Sequence, residues 1–261
     1  MTSSRHGLVT PSPHGLVRSA TMRIAVLSDI HSNLAALDAV LADAGDVDAV
    51  WHLGDVVGYG PDPDAVVARL AEVGALGDRG NHDAAALGGP EIDWFNPEAR
   101  RAVEWTASTM SSATRDWLAD LPETLVIDDV TLVHGSPREP LREYVISLAV
   151  ARASLDVLTT SHGLHGHTHV PIAYLLEERA IGVKEPRDGS SIELAGRRAF
   201  LNPGSVGQPR DGDPRASYLV LEPDAGTVTW HRVAYDIAAV ADAIRAAGLP
   251  SRLADRLAHG A

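Results

Sequence analysis

Four histidines, two aspartates and one asparagine stand in short polar segments, most of them directly after an apolar run. They are Asp29, His31, Asp55, Asn81, His134, His167 and His169. All their donors are oxygen or nitrogen, and the chain contains no cysteine. One metal ion cannot use all these ligands and keep an open position, whereas two ions that share a carboxylate can. Such donors suit Mn, Fe, Zn, Co or Ni, so the sequence predicts a dinuclear metal site.

The elements that must position these donors alternate, in the first half, between strands and helices. Apolar runs at 22–32, 48–55 and 75–83 each end in polar residues, as buried strands do when they present side chains at their carboxyl ends. The segments 33–44 and 58–74 between them have helical spacing. This order predicts a parallel β-α-β core with its functional groups at the carboxyl ends of the strands.

The second half is predicted to be mostly antiparallel. Residues 97–121 are expected to be helical, and 151–158 are ambiguous. Hairpins are expected at 124–135, at 191–205 with a turn at Ala195-Gly196, and at 216–236. The segment 162–177 is expected to contain a strand on either side of the histidine loop. These elements suggest two sheets packed face to face with helices outside.

Two pairs of donors are separated by a single residue. Positions i and i+2 of an extended strand point to the same face. We therefore expect Asp29 with His31, and His167 with His169, to converge if the chain is extended there. His165, inside the apolar run before this loop, is expected to pack or to support the donors instead of binding metal.

Charge and composition disfavour several broad classes of protein. The formal charge is −13, from 35 acidic and 22 basic residues, which leaves no basic face for general nucleic-acid binding or an anionic membrane. No apolar run approaches the roughly 18 residues of a membrane span. Residues 1–21 lack the apolar core of a signal peptide, so we expect a disordered or mobile tail and a cytoplasmic protein. An oligomer is compatible with the sequence.

The polar segments occur in a recognisable order: DIH, GD, GNHD, an isolated histidine in LVHGS, and GHTH. This series resembles the calcineurin-like metallophosphoesterase superfamily over about residues 22–235. The stretches GDVVGYGPDPD, RGNHD and NPGSVGQPRDGDPRASY further resemble its small bacterial phosphodiesterase branch. The resemblance implies an α/β fold, a four-layer αββα sandwich of two mixed β-sheets flanked by helices. It would form one domain over 22–261, with a helical cap-like insertion at about 93–121.

The resemblance also implies a role for each donor. It assigns them to two divalent metal ions, with Mn the first choice and Fe, Zn, Co or Ni as alternatives. The assignment is Asp29, His31 and His169 to one ion, Asn81, His134 and His167 to the other, and Asp55 to both.

The chemistry implied is direct hydrolysis of a small phosphoester. A hydroxide that bridges the two ions attacks phosphorus, and His82 protonates the leaving oxygen, a step worth about 10²–10⁴-fold. Asp83 is expected to orient His82. No nucleophile elbow, P-loop or cysteine nucleophile suggests a covalent enzyme intermediate.

Three further residues are candidates for contact with substrate, each with a plainer alternative. Arg138 suits a phosphate but equally a surface salt bridge. Tyr59 could stack on a base or pack its turn, and Arg210 could bind substrate or stabilise its loop. In the insertion, Trp94 and Phe95 are the first candidate contacts, together with Arg100 or Arg101.

Several functions remain open from the residues. A phosphodiesterase or small-nucleotide phosphoesterase is favoured, with a symmetrical dinucleoside polyphosphate hydrolase or a phosphomonoesterase as alternatives. A protein serine/threonine phosphatase is disfavoured, because Asp55 is followed by VVGYG and not by the Asp-Arg pair of that branch. A metal-binding scaffold for protein interaction is disfavoured, because His82 and the complete donor set are present.

Overall fold

The computed structural model describes residues 22–178, 180–194 and 196–261. The predicted tail over 1–21 lies outside the described residues. The strands, in chain order, are β1 (Ile24–Leu27), β2 (Ala49–Leu53), β3 (Leu76–Asp78), β4 (Thr124–Ile127), β5 (Val130–Val133), β6 (His162–His165), β7 (Ile172–Glu177), β8 (Ala180–Lys184), β9 (Ser191–Glu193), β10 (Arg198–Asn202), β11 (Ala216–Glu222) and β12 (Thr227–Val233).

The helices pack outside these strands. In chain order they are α1 (Leu34–Ala44), α2 (Pro63–Glu72), α3 (Asn81–Ala86), α4 (Pro97–Thr109), α5 (Ser112–Ala119), α6 (Leu148–Val157), α7 (Ile237–Ala246) and α8 (Ser251–Asp255), with 3₁₀ turns at Pro90–Trp94 and Arg256–His259. In the described part of the chain, every helix is too short or too polar to cross a lipid bilayer.

The strands form two mixed sheets, which confirms the predicted four-layer sandwich. The first sheet has the order β3-β2-β1-β11-β12-β9, with β1, β2 and β3 parallel to one another. The second has the order β4-β5-β6-β10-β7-β8, with β5, β6 and β10 parallel. The second half is therefore less antiparallel than predicted.

Successive side chains of β1 pack alternately against the second sheet and against the outer helices. Ile24 and Val26 pack between the two sheets, whereas Ala25 and Leu27 face the core beneath α1 and α2. Phe200 of β10 packs on the outer side of the second sheet with residues of α6. A fully buried aliphatic or aromatic side chain contributes about 1.5–3 kcal/mol, so these apolar layers fix the positions of the strand ends.

The predicted hairpin over 191–205 is wrong. Strand β9 pairs with β12 in the first sheet, and β10 lies between β6 and β7 in the second. Ala195, in the expected turn, lies outside the described residues. The pairing is decided by apolar contacts distant in sequence: buried Leu194 packs between the sheets, and the chain crosses from one sheet to the other here.

The other predicted elements differ mainly in their bounds. The helical stretch 97–121 is two helices, broken where the Ser111 hydroxyl accepts a hydrogen bond from the Thr114 amide and begins α5. The ambiguous segment 151–158 belongs largely to α6. The strand pairs predicted at 124–135 and 216–236 are confirmed as β4–β5 and β11–β12.

Candidate metal centre

The donor side chains meet where the parallel strands of the two sheets end. Asp29 and Asp55 follow β1 and β2, and Asn81 is the first residue of α3, just after β3. From the other sheet, His134 follows β5 directly, and the loop after β6 carries GHTH. This position agrees with the rule that α/β sheets place their sites at the carboxyl ends of strands.

The loops that carry the donors have unusual backbone geometry. Among the described residues, nine non-glycine positions have a positive φ, and seven of these are at the site. The seven are Asp29, His31, Ser32, Asp55, Tyr59, His167 and His169. Residues held in sparsely populated backbone regions cost about 1–3 kcal/mol each and cluster at functional sites.

This geometry corrects the expected route to convergence. We expected extended chain to bring Asp29 with His31, and His167 with His169, to one point. Instead, β1 ends at Leu27 and β6 ends at His165, and all four donors have φ between 50° and 66°. Left-handed turns in the loops, not strand alternation, bring the pairs together.

Four of the donors form one compact group around two carboxylates. The Nε2 atom of His169 lies 3.2 Å from Asp29 Oδ1 and 3.2 Å from His31 Nε2. His31 Nε2 lies 3.6 Å from Asp55 Oδ2. Ligand atoms from all four residues fall within 4.8 Å of one another, close enough to hold a metal ion.

A second group shares Asp55 with the first. Asp55 Oδ2 lies 3.4 Å from His134 Nε2, which is 3.1 Å from His167 Nδ1. The Asn81 side-chain oxygen lies 2.9 Å from the same His134 nitrogen. Metal–ligand bonds of about 2.0–2.2 Å place neighbouring donor atoms roughly 3.0–3.5 Å apart, so the spacing in both groups fits a cation.

The hydrogen bonds of the rings fix which nitrogen faces the cluster. The Nδ1–H groups of His31, His134 and His169 donate to the backbone carbonyls of Val57, Leu53 and Gln208, at 3.2, 2.7 and 2.6 Å. Each Nε2 of a neutral ring therefore carries a lone pair directed into the cluster. Converging lone pairs and carboxylate oxygens repel one another unless a cation lies between them.

The ionisation of these groups suits metal binding. Burial lowers the pKa values of His31, His167 and His169, which keeps their rings neutral. Burial also lowers the pKa of His134, but the adjacent Asp55 carboxylate outweighs it and raises that pKa to about 10. In the metal-free protein, a proton on His134 thus takes the place of a cation.

In each of the two carboxylates, one oxygen accepts supporting hydrogen bonds and the other faces the cluster. Asp29 Oδ2 accepts hydrogen bonds from the Ser28 hydroxyl at 2.7 Å and the His167 amide at 3.1 Å, while Oδ1 is buried without a partner. Asp55 Oδ1 accepts from the His82 amide at 2.8 Å, so Oδ2 faces the rings. Such supporting bonds orient ligands before metal binds.

The turn over 202–207 joins the two donor loops. The Asn202 side-chain amide donates to the Gly166 carbonyl at 2.7 Å, in the histidine loop. Ser205 Oγ and the Gly207 amide both donate to the Asp29 carbonyl, at 2.8 and 3.0 Å. His165 packs against Phe200, with ring centroids 4.3 Å apart, and does not join the cluster.

His82 lies beside the cluster and not within it. Its ring is buried against Tyr59, Phe95 and His31, with centroid distances of 4.3, 4.5 and 4.9 Å. Its Nδ1 atom has no hydrogen-bond partner. Burial lowers the pKa of His82 to about 4, so its protonation near neutral pH requires a nearby negative charge.

Asp83 does not hydrogen-bond the His82 ring, contrary to the expected orienting role. Its carboxylate accepts from the backbone amides of Val57 and Gly80, at 3.0 and 2.9 Å. Adjacent residues of a helix point in different directions, which is why the two side chains do not meet. Asp83 instead holds the start of α3 against the loop that follows Asp55.

Of the three predicted substrate contacts, one is engaged in a surface salt bridge and two lie at the edge of the site. Arg138 is paired with Glu143, its Nε lying 3.1 Å from the carboxylate, so the surface salt bridge is the correct alternative. A cavity opens beside the cluster, and Tyr59 is one of the residues that line it. Arg210 donates to the Gln208 side chain at 3.2 Å and lies 3.5 Å from the Tyr59 hydroxyl. It therefore stabilises its own loop at the edge of the site.

Of the four candidate substrate contacts in the helical insertion at about 93–121, two line the cavity and two do not. Trp94 and Phe95 line the cavity. Arg100 instead lies 3.8 Å from Asp93 in a surface ion pair, and Arg101 borders a separate surface depression.

Several residues that line the cavity were not found from the sequence, and three of them bear on its chemistry. Arg142 and Tyr144 come from the irregular segment after His134, and Glu91 comes from the 3₁₀ turn before α4. The Tyr144 ring stacks on His167 with centroids 3.7 Å apart and planes 17° apart. Neither segment has a motif or a periodic apolar pattern, so no sequence signal pointed to these residues.

Comparison with known proteins agrees with this geometry. The family model for a calcineurin-like phosphoesterase superfamily domain matches residues 22–226. The crystal structure of a metallophosphoesterase from Sphaerobacter thermophilus is 44% identical, with a TM-score of 0.84, over 92% of this chain and 99% of that one. The uncharacterized protein MJ0912 of Methanocaldococcus jannaschii is 34% identical, over 91% of this chain and 98% of its own length. The hypothetical protein PH1004 of Pyrococcus horikoshii shares the fold, with 22% identity and a TM-score of 0.71 over 92% of this chain and 99% of that one.

Proposed function

The chain belongs to the calcineurin-like phosphoesterase superfamily, and on this basis we propose that it hydrolyses a phosphodiester or small nucleotide ester with the help of two divalent cations. One observation carries the proposal. Imidazole nitrogens and carboxylate oxygens converge at 3.1–3.6 Å in two groups that share Asp55. This arrangement is unfavourable without positive charge and well suited to hold it.

The proposed ligands follow the two groups. Asp29, His31 and His169 would hold one ion, Asn81, His134 and His167 would hold the other, and Asp55 would contact both. Mn is the first choice among metals that accept oxygen and imidazole donors. When bound, the ions would activate water and neutralise the phosphoryl oxygens of the ester.

The proposal gives His82 the role of proton donor and its aromatic neighbours the role of positioning it. In this proposal His82 donates a proton to the leaving oxygen, and the negative charge of a bound phosphoester would favour its protonated form. The buried rings of Tyr59 and Phe95 hold the imidazole in position and limit access of water. Direct attack by water needs no covalent intermediate, and the chain has no cysteine that could act as a nucleophile.

Hydrolysis of bis-p-nitrophenyl phosphate tests the proposal. We expect turnover with added Mn²⁺ and its loss with a chelator. His82→Ala should lower turnover by about 10²-fold or more while Mn content stays at the wild-type value. Inactivity of the Mn-loaded protein on every phosphoester tried would refute the enzymatic function. Equal loss of metal and activity in His82→Ala would show that His82 is a ligand.

A further inference from the structure

A cavity of about 230 Å³ opens directly beside the proposed metal centre. Its floor includes Asn81, His82 and His167, which also belong to the centre or contact it. A phosphoester whose phosphoryl group lies on the centre would therefore extend one of its ester groups into this cavity. The shape and chemistry of the walls then bear on which ester group fits.

Four aromatic side chains contribute to the walls of the cavity. Tyr59, Trp94, Phe95 and Tyr144 all border it. Trp94 is 72% exposed and Tyr144 is 44% exposed, which is unusual for large aromatic side chains beside a buried site. A planar group against either ring would cover apolar surface that solvent now contacts, and aromatic stacking would add to the gain.

The charge of the cavity is balanced. Of the described residues that line it, Glu91 is the only acid and Arg142 the only arginine or lysine. Their side chains lie 3.4 Å apart, and the Arg142 guanidinium lies over the Trp94 ring, 4.6 Å from its centroid. A single paired arginine suits a second phosphate poorly. A neutral planar group matches both the stacking surfaces and the charge.

Polar side chains at the cavity wall can form hydrogen bonds with the edge of such a planar group. Glu91 is only 7% exposed, and its carboxylate has hydrogen-bonding capacity beyond its long contact with Arg142. Asn96 adds amide groups at the same wall. From these features we infer that the cavity binds an aromatic heterocycle, such as a nucleobase, carried by the phosphoester. This inference rests on the proposed function, because the phosphoryl group positions the heterocycle.

Two ligands that differ only in the base test the inference. Adenosine 5′-monophosphate and ribose 5-phosphate carry the same sugar and phosphate. Calorimetric titration of the Mn-loaded full chain should show at least tenfold tighter binding of the nucleotide, consistent with the known contribution of base–aromatic stacking. Inorganic phosphate is assayed after each titration, so that turnover is not mistaken for binding.

Variants localise the effect. Trp94→Ala should weaken nucleotide binding by fivefold or more and change ribose 5-phosphate binding by less than twofold. Trp105→Ala is the matched control, since Trp105 lies on α4 but borders a different depression. It should leave the affinity ratio of the two ligands unchanged.

The outcomes separate this inference from the proposed function. Equal affinity for the two ligands, or an equal effect of Trp105→Ala and Trp94→Ala, would overturn the base-binding role. If that happened while bis-p-nitrophenyl phosphate was still hydrolysed, the phosphoesterase proposal would survive. Base-dependent binding without hydrolysis of any phosphoester would support the cavity and refute the enzymatic function.

Discussion

The Nε2 atoms of His31 and His169 face each other at 3.2 Å, although the Nδ1–H of each ring donates to a backbone carbonyl. Two lone pairs are therefore directed at the same small volume, which also contains the unpartnered Asp29 Oδ1. The fold maintains this contact with strained loops and supporting hydrogen bonds. A bound cation turns the repulsion into attraction.

Metal should therefore stabilise the protein. We expect the melting temperature in excess Mn²⁺ to exceed that in chelator. At a free Mn²⁺ concentration 100 times the dissociation constant, one site adds about 2.7 kcal/mol to the free energy of unfolding. Differential scanning calorimetry over a series of Mn²⁺ concentrations measures the effect. Identical melting curves with metal and with chelator would show that the cluster does not bind Mn²⁺.

Ser28→Ala should weaken metal binding without removing a proposed ligand. The Ser28 hydroxyl donates to Asp29 Oδ2 and helps direct Oδ1 into the cluster. Loss of such a supporting bond costs about 10- to 100-fold in metal affinity. Competition with a chromogenic chelator measures the affinity. Ser32→Ala is the matched control, because the Ser32 hydroxyl is also buried but has no hydrogen-bond partner; an equal loss there would contradict the argument.

Gly58→Ala should impair turnover more than metal binding. Gly58 has a φ of +91°, and a Cβ atom there would collide with His82 Nδ1, so the imidazole must move. We expect kcat to fall at least tenfold with Mn content unchanged. Gly88→Ala imposes a comparable backbone strain, at a φ of +96°, with no neighbouring atom within 4 Å of the added Cβ. Should both variants lose kcat equally, displacement of His82 would not be the cause.

His52 should make the metal-free protein less stable in acid. It is buried with neither ring nitrogen hydrogen-bonded, and burial lowers its pKa to about 4. The unfolded value is about 6.5, so the unfolded chain binds the proton first as the pH falls. The contribution of His52 to stability is complete above about pH 6.5 and decreases toward pH 4, by about 3 kcal/mol in all.

His52→Leu isolates this contribution. Its free energy of unfolding, measured by urea denaturation in chelator, should fall less steeply between pH 6.5 and pH 4 than that of the wild type. Chelator removes the effect of metal release from both proteins. Parallel pH profiles would show that His52 is protonated in the folded state or reaches solvent.

The order of motifs along the chain was sufficient to predict the layer architecture and which polar side chains meet at the ends of the strands. Asp29, Asp55 and His134 each follow a buried apolar strand, and the ends of parallel strands meet at one edge. Local pattern could not predict how Asp29 and His31 converge. Their left-handed backbone is maintained by distant partners, among them Ser205, which donates to the Asp29 carbonyl.

The misassigned strand pair and the missed cavity residues have related causes. The sequence pattern of β9 and β10 fits either a hairpin or two strands of different sheets, and only the apolar contacts of the complete sandwich decide between them. Arg142 and Tyr144 lie in irregular chain whose path depends on tertiary packing. Arg138, nearer to His134 in sequence, was the candidate, but its pairing with Glu143 keeps it out of the cavity.

The most direct test of the shared metal centre is anomalous scattering from crystals of the Mn²⁺-loaded protein, recorded on both sides of the Mn absorption edge. We expect two peaks that share the Asp55 carboxylate, one beside His31 and His169 and the other beside His134 and His167. The absence of any peak at the cluster, or one peak that leaves His134 and His167 without metal, would contradict the account.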